Sequence, residues 1–76
     1  MKELLNTIVS NIVDKPEEIK INEVEGSKSI ILELEVADDD MGKVIGKKGR
    51  IAKAVRTVLK AAATKDRKRV ILEIIE

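Results

Sequence analysis

The sequence has 76 residues, 43% of them hydrophobic and 38% charged, and it contains no cysteine, histidine or aromatic residue. This length predicts a single domain, 1–76, with an aliphatic core, because no disulfide and no thiolate or imidazole zinc site can stabilise it. The absence of cysteine and histidine argues against catalytic triads, redox chemistry and zinc catalysis, and no cofactor is expected. No apolar run approaches the ~20 residues that cross a bilayer, and a cysteine-free composition fits a cytoplasmic location.

The net charge of +1 conceals a segregation of charge along the chain. Residues 1–42 hold eleven acids and four bases, whereas residues 43–69 hold eleven bases and one acid. Because electrostatic potential depends on where charge lies, the second segment predicts a local anion-binding surface. A solvated helix face would give the same pattern, so charge alone leaves both interpretations open.

The first half of the chain predicts a helix followed by two strands. Apolar residues recur at helical spacing and indicate an amphipathic helix over 2–13, which ends before Pro16. Residues 18–25 alternate as an edge strand whose phase slips at Val24, which suggests an irregular end. Residues 29–36 form the clearest strand and should pair with the preceding one as a hairpin.

An acidic triplet occupies residues 38–40. An aspartate at this point is predicted to cap the N-terminus of a short helix with an apolar face of Met41, Val44 and Ile45. The triplet lacks the spaced oxygen ligands and the later glutamate of a calcium loop, so capping is the better interpretation.

The second half predicts a longer basic helix and a final strand. The predicted buried stripe of this helix comprises Ile51, Ala54, Val55, Val58, Leu59 and Ala62. Its outer face carries Arg50, Lys53, Arg56 and Lys60. Residues 70–75 close the chain as a strand, which gives the order α-β-β-α-α-β.

This order predicts an α+β fold with a three-stranded mixed sheet. The strands at 29–36 and 70–75 are separated by a helical crossover, so as neighbours they should run parallel. All three helices should cover one face, because each has a single apolar stripe to bury. Ile31, Ile71 and Ile75 would then lie on the opposite face, either as ordinary exposed aliphatics or as a protein contact patch.

Two glycines three positions apart, Gly46 and Gly49, enclose Lys47 and Lys48 between the two predicted helices. Glycine allows a tight turn and lets a sugar-phosphate approach the main chain. The loop amides and the positive helix N-terminus favour phosphate, and Arg50 adds charge beside them. The spacing excludes a Walker loop and a dinucleotide fingerprint, although a bare Gly-x-x-Gly is also compatible with a simple turn between helices.

The segment DMGKVIGKKGRIAKA at residues 40–54 resembles the signature of the KH domain, whose Gly-x-x-Gly loop clamps the backbone of about four nucleotides. The additional helix and strand precede the β-α-α-β unit, which resembles the type II, prokaryotic topology. The whole chain is similar to the small single-KH bacterial proteins of the KhpA family. This resemblance implies sequence-tolerant binding of single-stranded RNA in post-transcriptional regulation or as an RNA chaperone, with self-association or pairing with a second KH-containing protein.

The resemblance also implies which residues contact RNA. They are Lys43, Val44, Ile45, Gly46, Lys47, Lys48, Gly49, Arg50 and Lys53. The loop would clamp the sugar-phosphate backbone, and Arg50 and Lys53 would add phosphate contacts. The base groove would be supported or lined by Val44, Ile45, Ile51 and aliphatic positions on the central strand. The missing aromatics exclude ring-stacking modules such as the RRM and the OB-fold, but a KH groove does not need them.

Two other functions compete with RNA binding. An assembly module would use the patch of Ile31, Ile71 and Ile75, or would set the acidic half of one copy against the basic half of another, with RNA binding secondary. A phosphate-ester enzyme would have only the carboxylates of residues 38–40 as metal ligands and no base beside them. RNA binding is therefore the leading hypothesis, with no catalytic residue, metal, membrane or small-molecule substrate expected.

Overall fold

A computed structural model describes residues 1–75, which form three α-helices and three β-strands in the predicted order. The helices are α1 (Lys2–Ser10), α2 (Met41–Ile45) and α3 (Arg50–Ala63). The strands are β1 (Lys20–Glu25), β2 (Ser29–Glu35) and β3 (Arg69–Ile74). Short 3-10 turns occur at Pro16–Glu18, Asp38–Asp40, Lys47–Gly49 and Thr64–Asp66.

The sheet has the order β1-β2-β3, with β1 antiparallel and β3 parallel to the central β2. The mixed sheet of an α+β fold is therefore confirmed. Its core lies on the face that the helices cover, and the cluster comprises Leu5, Val9, Val13, Ile30, Leu32, Leu34, Val36, Val44, Val55, Leu59, Ala63, Val70 and Leu72. At about 1.5–3 kcal/mol for each fully buried large aliphatic side chain, this cluster supplies most of the favourable free energy of folding.

The predicted irregular end of β1 was wrong. β1 pairs with β2 one residue to one residue along its whole length, and Val24 lies opposite Ile31 on the face away from the helices, where it is 52% exposed. The phase slip arises because Glu23 occupies a helix-side position at the sheet edge, where its Oε1 accepts the N–H of Lys2 at 3.2 Å. An edge position with a polar partner does not require an apolar side chain.

Helix α1 ends at Ser10, which is earlier than the predicted residue 13. Ser10 Oγ and Asn11 Nδ2 both donate to the carbonyl of Thr7, at 3.0 and 2.7 Å. The N–H of Asn11 bonds instead to the carbonyl of Ile8 at 3.3 Å, one residue short of the helical partner. Side chains that compete for helical backbone acceptors favour a helix end. The helix therefore ends before it reaches the segment that Pro16 restricts.

Helix α3 buries a different stripe from the one predicted. The residues that face the core are Ala52, Val55, Leu59 and Ala63. Ile51, Ala54 and Val58 are exposed, and Val58 is 47% exposed. The two stripes overlap at Val55 and Leu59, and both have helical spacing, so periodicity alone does not choose between them.

The sheet face away from the helices carries Ile31, Ile71 and Ile75, as predicted. Ile31 is half-buried and lies beside Ile71 in the parallel register, whereas Ile71 and Ile75 are exposed. Glu33 and Glu73 form the next row of the same register. This face therefore combines aliphatic and acidic side chains.

Candidate nucleic-acid interface

The loop between α2 and α3 is shaped by backbone conformations that few residues adopt. Gly46 has φ 76° and ψ 177°, and Gly49 has φ 74° and ψ 14°. Lys48 between them also has a positive φ of 57°. A left-handed conformation costs a non-glycine residue roughly 1–2 kcal/mol, so the rest of the loop has to hold Lys48 in place. Two backbone bonds do so, from Gly46 N–H to the Gly42 carbonyl at 2.8 Å and from Gly49 N–H to the Gly46 carbonyl at 3.2 Å.

The two loop glycines serve different purposes. A Cβ placed on Gly46 would overlap the side chain of Ile51 and lie 2.9 Å from its backbone nitrogen. Gly46 therefore brings the end of α2 into direct contact with the first turn of α3. A Cβ on Gly49 would meet no atom of residues 1–75 within 4 Å, so the main chain there faces open space. That is the side from which a ligand backbone can approach.

Four predicted phosphate-binding residues lie together at this loop. Lys47, Lys48, Arg50 and Lys53 are all exposed, on the loop and the first turn of α3. Within the described part of the chain none of them forms an ion pair with a carboxylate. The positive end of α3 adds to their charge, so the arrangement suits a chain of phosphates.

Lys43 lies apart from this group. Its ammonium contacts the carboxylate of Asp14 and lies 3.8 Å from Oδ1 of Asp40. The hydrogen bond with Asp14 raises the pKa of Lys43 above its usual value. Its positive charge is therefore partly neutralised by acids, and its predicted contact with RNA remains a prediction.

The three predicted aliphatic residues also separate into two kinds. Val44 is fully buried and anchors α2 to the core, so it supports the site from below. Ile45 is half-buried, and Ile51 is exposed beside Gly46. Only the last two present aliphatic surface next to the loop.

The predicted helix cap was wrong. Asp40 precedes α2, but its side chain makes no cap bond with that helix. Its carboxylate instead accepts the N–H groups of Asp14 and Lys15, each at 3.0 Å. The bond from Asp14 lowers the pKa of Asp40, the burial of the carboxylate opposes it, and the bond from Lys15 reinforces it. Sequence reasoning missed this contact because the donors lie about 25 residues earlier in the chain.

Residues 1–75 offer no cluster of three or more carboxylate, imidazole or thiolate side chains that could hold a metal ion. In the acidic triplet, the Asp40 carboxylate is committed to backbone groups and Asp39 pairs with Lys15 at 3.4 Å. None of the described helices is long and apolar enough to span a membrane.

Comparison with known proteins gives full-length matches. A family model described as "KhpA/KhpB, KH domain" matches residues 2–74. The RNA-binding protein KhpA of Clostridium acetobutylicum is 65% identical over 75 residues, which cover 99% of this chain and 100% of that protein. The protein of the same name from Chlamydia trachomatis is 55% identical over 76 residues, 100% of this chain and 97% of its own. No solved structure gives a significant match.

Proposed function

Because the chain belongs to the KhpA/KhpB family of KH domains, we propose that it binds single-stranded RNA through the loop Gly46–Gly49. It acts as one KH domain over 1–76, in the cytoplasm, as a post-transcriptional regulator or RNA chaperone. One observation carries the proposal. Exposed Lys47 and Lys48, without acidic partners in residues 1–75, stand on a glycine turn at the positive end of α3.

The loop geometry supports a clamp on the RNA backbone. The open space at Gly49 admits a sugar-phosphate close to the main chain, and the two loop lysines reach phosphates on either side. Arg50 and Lys53 extend this charge along α3. Bases would rest on the aliphatic surface of Ile45 and Ile51. Contacts with phosphates carry no sequence information, so a site dominated by them should discriminate weakly between sequences.

The test is fluorescence anisotropy of labelled single-stranded RNA, duplex RNA and single-stranded DNA across a salt series. We expect single-stranded RNA to bind most tightly. If the four exposed basic residues each contact one phosphate, log K should fall with log salt at a slope of about −2.8, because each contact contributes about −0.7 for single strands. Equal affinity for all three ligands would reduce the site to an unspecific basic surface and would contradict the proposal.

We further propose that the chain pairs with a second copy of itself, and that this accompanies RNA binding. Two surfaces expose apolar side chains, the sheet face around Ile71, which also carries Glu33 and Glu73, and the row on α3 around Val58. Pairing would join two loops and raise the affinity for a longer RNA through multivalency.

Light scattering of the purified protein tests the pairing. We expect a mass of about twice 8.4 kDa. One of the two variants Val58→Asp and Ile71→Asp should give the monomer mass, because a carboxylate buried at an apolar interface is strongly unfavourable. The variant whose surface lies outside the interface serves as the control and should keep the dimer mass. A monomeric wild-type protein at high concentration would exclude self-association and leave a different KH-containing chain as the partner.

A further inference from the structure

Helix α2 carries the loop Gly46–Gly49 and packs on the core through Val44, with Met41 partly buried against the same cluster. It has five residues, and Val44 is its buried residue. A helix this short does not persist by itself, so beyond this packing its orientation depends on the contacts at its two ends. Its C-terminal end is fixed by the contact of Gly46 with Ile51.

Its N-terminal end is fixed by Asp40. This side chain is 1% exposed, and it is the one buried charged residue among those that the structure describes. Both of its oxygens accept backbone N–H groups from the segment that follows α1, at Asp14 and Lys15. A buried carboxylate persists only when hydrogen bonds replace its lost hydration, so the two donors and the carboxylate hold each other in place.

Lys43 closes the arrangement from α2 itself. It lies one helical turn after Asp40, and its ammonium contacts Asp14 and approaches Asp40 at 3.8 Å. The segment after α1, the turn before α2 and α2 are therefore joined at one point. From Asp40 to Gly46 the chain advances by roughly 9 Å along a helix, so a tilt at the first end displaces the loop at the other.

We propose that Asp40 is a positioning residue for RNA binding, which orients α2 and thereby sets the loop Gly46–Gly49 against the first turn of α3. The inference rests on the proposed function of this loop. Asp40 does not touch the ligand. It acts through the backbone of residues 14 and 15.

The variant Asp40→Asn tests this with Asp39→Asn as the matched control. Both changes remove one negative charge at neighbouring positions, but the side chain of Asp39 is 84% exposed and bonds to the Lys15 side chain alone. Charge by itself predicts slightly tighter RNA binding for both variants. In Asp40→Asn, the amide oxygen can still accept one of the two backbone N–H groups, but the amide NH₂ faces the other N–H, and two donors cannot bond to each other. Helix α2 should therefore lose its fixed orientation.

We expect Asp40→Asn to bind single-stranded RNA about five- to tenfold more weakly while remaining folded by circular dichroism, which corresponds to a loop that is competent in roughly 10–20% of the molecules. Asp39→Asn should bind as tightly as wild type or better. Equal or tighter binding by folded Asp40→Asn would overturn the inference. Failure of the wild-type protein to bind single-stranded RNA would instead overturn the proposed function.

A second measurement on the wild-type protein applies even if Asp40→Asn does not fold. Hydrogen exchange should show that the amides of Asp14 and Lys15 open together with the amide of Gly46, which bonds inside α2. Equal free energies of opening, both changed by bound RNA, would support the coupling. Opening of residues 14 and 15 independent of Gly46 would refute it.

Discussion

Replacing both loop lysines, in the variant Lys47→Asp plus Lys48→Asp, should weaken the binding of single-stranded RNA about a hundredfold or more. Each lost charge-assisted contact accounts for about 1.5 kcal/mol, and each 1.4 kcal/mol is tenfold in affinity. The salt slope should become shallower by about 1.4, because two phosphate contacts are lost. The free energy of unfolding should change little, because both side chains are exposed. The chain has no aromatic residue, so anisotropy is read from labelled RNA and folding from circular dichroism.

The matched control is Lys28→Asp plus Lys65→Asp. It makes the same change in net charge at exposed lysines outside the loop. Lys65 follows the C-terminal end of α3, and a helix of 14 residues separates the loop from that end by roughly 21 Å. The control should keep its affinity within a few-fold at physiological salt, where charges further apart than ~8 Å are largely screened. If both double variants lose affinity equally, the total charge and not the clamp governs binding.

Substituting Gly46 by alanine should lower the free energy of unfolding by about 3 kcal/mol. The backbone conformation of Gly46 is one that essentially only glycine adopts, at a cost of roughly 1–3 kcal/mol for other residues. The added Cβ would also overlap Ile51, and such overpacking costs typically about 1–3 kcal/mol. In a domain of this size each kcal/mol shifts the melting temperature by about 4–8 °C. Thermal denaturation followed by circular dichroism should therefore show a decrease of roughly 10–25 °C.

The other glycines of this region provide internal controls. A Cβ on Gly42 would meet no atom of residues 1–75 within 4 Å, and Gly42 lies inside α2. The substitution Gly42→Ala should therefore raise the free energy of unfolding by about 0.5–1 kcal/mol. At Gly49 there is room for a Cβ, but the φ of 74° is unfavourable for alanine. The substitution Gly49→Ala should therefore lower the free energy of unfolding by roughly 1–2 kcal/mol. A melting temperature of Gly46→Ala equal to that of Gly42→Ala would contradict the contact between α2 and α3.

The sheet and the glycine loop were predictable from sequence because their signals are local. The alternation of apolar residues along 29–36 identifies the central strand and its buried face. Two glycines with lysines between them identify an exposed basic turn between two helices. Both signals depend on neighbours within a few residues, and the structure places them as expected.

What sequence reasoning missed depends on contacts between distant segments. The buried stripe of α3 was misassigned because the row with Val58 and the row with Ala52 have equally good helical spacing, and packing against the sheet decides between them. An aspartate of the triplet 38–40 was expected to cap α2. Nothing local indicates that the carboxylate of Asp40 instead accepts the backbone N–H groups of residues 14 and 15. The ion pair of Lys43 with Asp14 was missed for the same reason, since Asp14 comes 29 residues earlier. The predicted contact of Lys43 with RNA remains a prediction.

The outer strands of the sheet are poorly suited to pairing with a strand of a second chain. β1 carries Lys20, Glu23 and Glu25 along its six residues, and the Arg56 side chain reaches from α3 to the carbonyl of Leu72 in β3 at 3.4 Å. Charged side chains on an edge strand discourage a second chain from adding to the backbone ladder. A guanidinium that occupies a carbonyl of the other edge strand has the same effect. In the pairing proposed above, copies should therefore contact each other through side-chain surfaces and not through the backbone ladder, which opposes the growth of a concentrated protein into fibrous sheets.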